Sequence, residues 1–306
     1  MESTIIAPPP PSSLAVFRED LFKGKVLFCT GGGSGICKDM TEAVLRHGAN
    51  AVIVGRKLER LNEAAKELAT ATGRKVLAVQ ADVREPKQLQ DAVTKTIKEF
   101  GRIDFVICGA AGNFLAPIEG LSENAFKTVI SIDLLGTYNT VKATLPYIRE
   151  ARGSYIHVSA TLHYKGIWDK NSQLGVVNQW VFLGIPHQAH VSAAKAGVDA
   201  LSAVIAVEEG PRGVRSNVIA PGPIADTEGV KRLVQDSIYG KHPGKALPLQ
   251  RFGEKADISN ATVFLFSGAA NYITGQIMVV DGGEIHTGLG AIRSYPEIVL
   301  KPLPKL

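Results

Sequence analysis

Cysteine is scarce in this chain of 306 residues, which has only Cys29, Cys37 and Cys108. The three residues do not have the spacing of a metal-binding motif, so the sequence predicts no metal site. We interpret them as reduced, buried cysteines of a protein from a reducing compartment.

Long apolar runs and dense runs of positive charge are also missing. No apolar stretch reaches the roughly 18 residues that a membrane-spanning helix needs, and the N-terminus lacks a secretory signal pattern. The net charge of +5 and the pI near 9.0 are modest, and the basic residues form no cluster. We therefore expect no nucleic-acid partner and no membrane span, whereas an anionic ligand would be favoured.

The most informative stretch present is Val26 to Cys37, where an apolar run ends in a glycine cluster and a helical pattern follows. Strand, tight turn and helix in this order are typical of the first unit of a dinucleotide-binding fold. Glycine allows positive φ angles and close approach of phosphate oxygens, and the helix N-terminus attracts negative charge. A flexible glycine-rich loop is the alternative for this stretch alone.

Strand and helix patterns alternate along most of the chain. This alternation predicts one doubly wound parallel sheet of seven strands with helices on both faces. The predicted strands are 26–29, 50–55, 75–79, 103–108, 154–158, 215–219 and 276–280. The predicted helices are 40–47, 60–70, 86–100, 124–145 with an interruption at Gly136, and 192–209.

Five motifs in order resemble the short-chain dehydrogenase/reductase family, from about residue 21 to residue 283. They are TGGGSGIC at 30–37, ADV at 81–83, GAAG at 109–112, the helix that carries Lys195, and SNVIAPGPI at 216–224. The resemblance implies a Rossmann-type fold in a single domain and a nicotinamide cofactor. The cofactor-binding residues that it implies are Gly31, Gly33, Ser34, Gly35, Ile36, Arg56, Arg60, Asp82, Val83, Ala110, Lys195, Pro221, Gly222, Pro223, Ile224 and Thr227.

Arg56 indicates which nicotinamide cofactor is used. It follows the second predicted strand, where NAD-dependent relatives usually carry an acidic residue that binds the ribose hydroxyl. A guanidinium pairs with a 2′-phosphate, which a carboxylate would repel. We therefore predict NADPH, with a solvated surface arginine as the alternative.

The expected catalytic residues of the family are largely replaced. Lys195 holds the lysine position, but Val191 stands where the proton-donating tyrosine is expected. Ala160 falls on the serine position and Asp133 on the asparagine position. Without the phenol, an ordinary carbonyl reductase would lack its general acid, so the chain is either inactive or performs different chemistry.

Further segments resemble the peroxisomal 2,4-dienoyl-CoA reductases, in particular their fungal branch. They are AAGNF at 110–114, NAFK at 124–127, DLLGTYN at 133–139, His190 to Lys195, and APGPIADTEG at 220–229. This resemblance implies reduction of a conjugated alkene, with Asp133 and Lys195 as catalytic residues that hold a proton-donating water. The substrate-binding residues that the resemblance implies are Arg56, Arg84, Phe114, Ser122, Asn124 and Arg232. Asn113 and His190 are further candidates for contacts near the thioester, with a turn asparagine and a packed histidine as the alternatives.

Three segments lie outside the motif pattern. Residues 1–20 are predicted to be a flexible, proline-rich leader, and residues 286–306 a tail that ends in Pro304-Lys305-Leu306. That tripeptide resembles a weak variant of a peroxisomal address and implies an import receptor, with a cytoplasmic location otherwise. Residues 168–185 lengthen the spacing to Lys195 and are a lid, a neutral insertion or a gene-model artefact.

The alternatives to a dienoyl-CoA reductase are a catalytically silent NADP-binding protein and an ordinary ketone reductase. The family resemblance also implies self-association as a homodimer or a homotetramer.

Overall fold

Seven strands form one all-parallel sheet in the order β3-β2-β1-β4-β5-β6-β7. The computed structural model describes residues 10–163, 187–227, 244 and 247–286. The strands are β1 (Val26–Thr30), β2 (Asn50–Gly55), β3 (Val76–Gln80), β4 (Phe105–Cys108), β5 (Ser154–Val158), β6 (Arg215–Pro221) and β7 (Ile277–Val280). The prediction of a doubly wound parallel sheet is confirmed.

Helices cover both faces of the sheet. They are α1 (Gly35–Arg46), α2 (Leu58–Thr72), α3 (Pro86–Phe100), α4 (Glu123–Ile130), α5 (Gly136–Ala151), α6 (Ala189–Glu209) and α7 (Lys255–Phe266). The bounds of α3 agree with the sequence-based prediction. The helix α7 has no counterpart among the predicted helices, because its largely apolar sequence has little amphipathic periodicity to mark it.

The predicted long helix over 124–145 is wrong in detail. The chain forms α4, then the π-helical segment Ser131–Leu135, and then α5. Gly136 does not interrupt a helix, since it is the first residue of α5 and packs against Val83. The irregular turn lies immediately before it and contains Asp133.

Alternating residues of the strands fill two cores. On β1, Leu27 and Cys29 face the core formed with α1 and α7, while Phe28 faces the core formed with α3 and α5. Successive side chains of a strand point to opposite faces, so both faces of a doubly covered sheet are apolar. All three cysteines are buried and free of disulfides, as expected.

The helix α6 together with the turn after it, Ala189–Arg212, is long and apolar enough to cross a membrane by length and composition alone. Half of its most apolar window is buried inside the protein, where α6 packs on β6 and on the π-helical segment. Its apolar character therefore has an explanation within the fold.

A histidine lies in the middle of the sheet. His157 on β5 is fully buried, and its Nε2 atom is 3.0 Å from the Ser216 hydroxyl, which in turn is 2.9 Å from the Ser202 hydroxyl. Burial lowers the pKa of His157 from 6.5 to about 3. The folded protein therefore holds this ring neutral.

This histidine is expected to reduce stability at acidic pH. Between about pH 6 and pH 4 the unfolded chain binds a proton at His157 and the folded chain does not, so the unfolding free energy falls as pH falls. The slope from one such residue is about 1.4 kcal/mol per pH unit. Denaturant unfolding of wild type and His157→Gln across this range should show that slope in their difference, and parallel curves would contradict it.

Candidate active site

The carboxyl ends of β1, β2, β3 and β4 meet at one edge of the sheet, where the strand order reverses between β1 and β4. In open parallel sheets this switch point is the usual crevice for a ligand. A cavity of about 300 Å³ lies there. Eight of the predicted cofactor-binding residues line it: Gly31, Gly33, Ser34, Arg56, Arg60, Asp82, Val83 and Ala110.

The turn after β1 can only be built with glycine at its first position. Gly31 has φ +74°, and a Cβ atom there would lie 2.7 Å from the carbonyl oxygen of Gly109. The loops after β1 and β4 therefore approach each other without side chains between them. This bare backbone beside the N-terminus of α1 suits the pyrophosphate of a dinucleotide.

Three basic side chains lie at one end of this cavity. Arg56, Lys57 and Arg60 line it, and within the described chain none of them forms an ion pair with a carboxylate. Positive charge that is not held in a direct ion pair, although Asp82 lies close enough to feel Arg56, fits a phosphate group on the ligand.

Both carboxylate oxygens of Asp82 accept hydrogen bonds from Arg84. Its carboxylate receives the Arg84 guanidinium at 2.5–3.1 Å, and this pairing holds the pKa of Asp82 below its usual range. Arg84 also lines a second cavity, of about 420 Å³, together with Asn124 and Lys127. An anionic ligand at Arg84 would have to share the guanidinium with Asp82.

The polar centre of the site is a buried ion pair between Asp133 and Lys195. The Lys195 ammonium lies 3.1 Å from Oδ2 of Asp133, and both side chains are almost completely buried. Lys195 also donates to the carbonyl of Val158 at 2.9 Å, and the Gly112 amide donates to Oδ1 of Asp133 at 2.7 Å. Four separate segments are thus joined by one charged pair.

Oδ2 of Asp133 can accept a further hydrogen bond. Although the ammonium is close, the contact is not aligned as a hydrogen bond, and this oxygen is buried without a hydrogen-bond donor. A carboxylate oxygen can accept more than one hydrogen bond, so this atom marks a place where a ligand or water is expected.

Val191, which the family resemblance puts at the position of the proton-donating tyrosine, has an apolar environment. Its side chain is buried and packs in a small apolar cluster with Val129 and Ala194. An apolar contact therefore stands where that resemblance leads us to expect a proton donor.

Comparisons with known proteins agree with this geometry. The family model for short chain dehydrogenase matches residues 25–168, and the model described as enoyl-(acyl carrier protein) reductase matches residues 176–284. The peroxisomal 2,4-dienoyl-CoA reductase SPS19 of Saccharomyces cerevisiae is 48% identical over 94% of this chain and 93% of its own length. The chain belongs to the short-chain dehydrogenase family.

Other members of this short-chain dehydrogenase family are similar over nearly the full length. The peroxisomal 2,4-dienoyl-CoA reductase of Danio rerio is 41% identical over 95% of this chain and 91% of its own length. The Arabidopsis thaliana protein of the same description is 37% identical over 94% of this chain and 93% of its own length. A short chain dehydrogenase structure from Bacillus anthracis has a TM-score of 0.71 at 38% identity, covering 86% of this chain and 97% of its own. Membership of the family implies a nicotinamide cofactor.

Four further predicted cofactor residues follow β6, namely Gly222, Pro223, Ile224 and Thr227. The Gly222 amide donates to Val280, the Pro223 carbonyl accepts from Gly253, and Ile224 forms a bridge with Gly253. The Thr227 hydroxyl donates to the carbonyl of Ile224 at 2.8 Å. Three further predicted residues lie near this region or at the start of α1: Pro221, Gly35 and Ile36.

The predicted substrate residues separate into two groups. Phe114 and His190 are in ring contact, and Asn113 follows Gly112, whose amide donates to Asp133. Ser122, in contrast, caps the N-terminus of α4 through the Ala125 amide, and Asn124 lies on the exposed first turn of α4. Arg232, residues 168–185 and the C-terminal tripeptide lie outside the described residues. No group of three metal-binding side chains is found in the described part of the chain.

We expect Gly31→Ala to lower the free energy of unfolding more than Gly24→Ala does. Gly24 also has a positive φ of +77°, but a Cβ atom added there would have no neighbour within 4 Å, so Gly24→Ala changes only the backbone preference. The additional overlap at Gly31 should cost about 1–3 kcal/mol more. Denaturant unfolding of both variants measures this difference, and equal losses would show that the loops separate without cost.

Proposed function

We propose that the protein is an NADPH-dependent 2,4-dienoyl-CoA reductase that produces 3-enoyl-CoA. The observation that supports this most directly is the buried Asp133–Lys195 pair, which stands beside an apolar Val191 instead of a tyrosine. The curated relatives with this described activity, at 37–48% identity over nearly the full length, support the same reaction.

The dinucleotide would lie in the crevice between the loops after β1 and β4. Gly31, Gly33 and Ser34 would hold its pyrophosphate, and Arg56 with Arg60 would hold the 2′-phosphate. When bound in its reduced form, the nicotinamide supplies a hydride for the δ carbon of the dienoyl thioester. The chain itself supplies no redox group for this reaction.

The side chains of the protein would stabilise the negative charge that hydride addition creates on the substrate, and they would deliver a proton. Negative charge develops on the thioester oxygen, and a proton is then added at the α carbon, which gives the 3-enoyl product. Oδ2 of Asp133 has an unused acceptor site, and the Lys195 ammonium is 3.1 Å from it. We place the proton-donating water against both groups, with one hydrogen bond to Oδ2 of Asp133 and one from the Lys195 ammonium, and a proton from solvent replaces the one that it loses.

The cellular setting is also part of the proposal. The named relatives from yeast, fish and plant are peroxisomal proteins, which supports a peroxisomal location for this one. Import through Pro304-Lys305-Leu306 and a receptor for it, together with a homodimer or homotetramer, complete the proposal.

Asp133→Asn should lower kcat for a 2,4-dienoyl-CoA by about 10²-fold or more. The amide oxygen of asparagine can still accept from Gly112, but the negative charge beside Lys195 is lost. The measurement is NADPH consumption at saturating substrate, with the 3-enoyl product identified by mass spectrometry.

Asp199→Asn is the matched control for this variant. Like Asp133, Asp199 is buried, but it belongs to α6. Its carboxylate lies 2.9 Å from the His163 ring and does not pair with Lys195. The control should retain activity. If Asp133→Asn turned over like wild type, the water would be held by other groups; if wild type bound NADPH but reduced no dienoyl-CoA, the protein would be a silent family member.

Arg56→Ala should raise the Kd for NADPH by about 10–100-fold and leave the Kd for NADH nearly unchanged. This is the range expected when one charge-assisted hydrogen bond to a phosphate is lost. Fluorescence titration of both cofactors provides the values. The control is Arg46→Ala, which removes an arginine paired with Glu42 on the surface of α1; equal weakening of both cofactors by Arg56→Ala would contradict NADPH preference.

A further inference from the structure

His190 is the second residue of α6, and its side chain is buried. Its two ring nitrogens have different environments. The backbone amide of Val191 donates to Nδ1 at 2.9 Å, so Nδ1 is an acceptor. In a neutral ring the proton must then be on Nε2. That Nε2 atom is buried and has no hydrogen-bond partner.

The ring is held in this orientation by Phe114. The two rings meet edge to face, with centroids 4.4 Å apart and planes at 82°. Phe114 belongs to the loop after β4, which also places the Gly112 amide on Asp133. The same loop therefore orients the histidine and one end of the ion pair.

Burial favours the neutral ring. It lowers the pKa of His190, although the nearby Asp133 carboxylate and the backbone of Gln188 act in the opposite direction. A neutral imidazole is a hydrogen-bond donor through Nε2 without adding a full charge to the site.

Two other buried polar atoms without a hydrogen-bond partner belong to the loop after β4 and to the ion pair. Asn113 Oδ1 and Asp133 Oδ2 are acceptors, whereas Nε2 of His190 carries a proton to donate. Hydrogen-bond donors that are buried, oriented and unpaired before the reaction are suited to stabilising an oxygen on which negative charge develops.

We propose that His190, as a neutral Nε2–H donor, hydrogen-bonds the thioester oxygen of the substrate and stabilises the negative charge that forms there. His190 would thus be a third catalytic residue beside Asp133 and Lys195. No proton is transferred to the oxygen, and the histidine remains neutral throughout. This inference rests on the proposed reduction of a dienoyl thioester.

The test compares His190→Gln, His190→Asn and His190→Leu in the full-length protein. The side-chain nitrogen of glutamine can replace Nε2, whereas that of asparagine replaces Nδ1. With 2,4-hexadienoyl-CoA and saturating NADPH, we expect the single-turnover rate to fall about 10²–10³-fold in His190→Leu, the range for loss of one such donor. His190→Gln should stay within about tenfold of wild type, and His190→Asn should resemble His190→Leu.

Two further readouts separate this role from a structural one. The Kd for NADPH and the thermal midpoint should be similar in the glutamine and asparagine variants, so that a difference in rate between them reports the donor. Ser159→Ala is the control, because Ser159 also has a buried hydroxyl without a partner, at the end of β5. It should leave the rate unchanged.

Three outcomes would overturn the assignment. They are a His190→Leu rate close to wild type, better rescue by asparagine than by glutamine, or loss of the rate in Ser159→Ala alone. If His190→Leu does not fold, the glutamine and asparagine variants decide the matter by themselves. If the wild-type protein does not reduce the dienoyl-CoA, the proposed function itself is wrong. If the wild-type protein is active and all three His190 variants have the same rate, only the role of His190 is wrong.

Discussion

The ion pair between Asp133 and Lys195 is the interaction on which the candidate site depends. Two charges buried in this way are stable only when each is also hydrogen-bonded, and here Gly112 and Val158 supply those partners. The pair therefore fixes the loop after β4, the π-helical segment, the end of β5 and α6 relative to one another. Removing one member would leave the other buried without its counter-charge.

The π-helical segment explains how a helix brings a carboxylate into this position. A single π-type turn adds a residue to the helical ladder and is frequently found at functional sites. Here the turn lies between α4 and α5 and places Asp133 in the interior, whereas the neighbouring Leu135 is exposed. The bonds that Asp133 forms offset the energy of the irregular turn.

Replacement of a phenol by an apolar residue changes which chemistry the site can support. Reduction of a carbonyl requires a proton on the oxygen, whereas reduction of a conjugated thioester requires one on carbon and only stabilisation of the oxygen. Val191 cannot donate a proton, and its side chain packs in an apolar cluster, while His190 and Lys195 belong to the first two turns of the same helix, α6. Charge stabilisation and a held water are consistent with what the remaining residues offer.

Local patterns in the residues were enough to predict the sheet, and most strand bounds to within one or two residues, because ordered glycine motifs and apolar runs are local signals. The cofactor crevice followed from the glycine cluster together with the family resemblance, and the roles of positions 133 and 195 followed from that resemblance alone. The local patterns did not reveal α7, whose periodicity is weak, or the π-helical segment, whose hydrogen bonds leave no pattern in the residues. The folded chain was needed to find that Arg84 is engaged by Asp82 and that Nε2 of His190 is buried without a partner. Those facts depend on how separate segments pack against one another in three dimensions, and such packing has no local sequence signature.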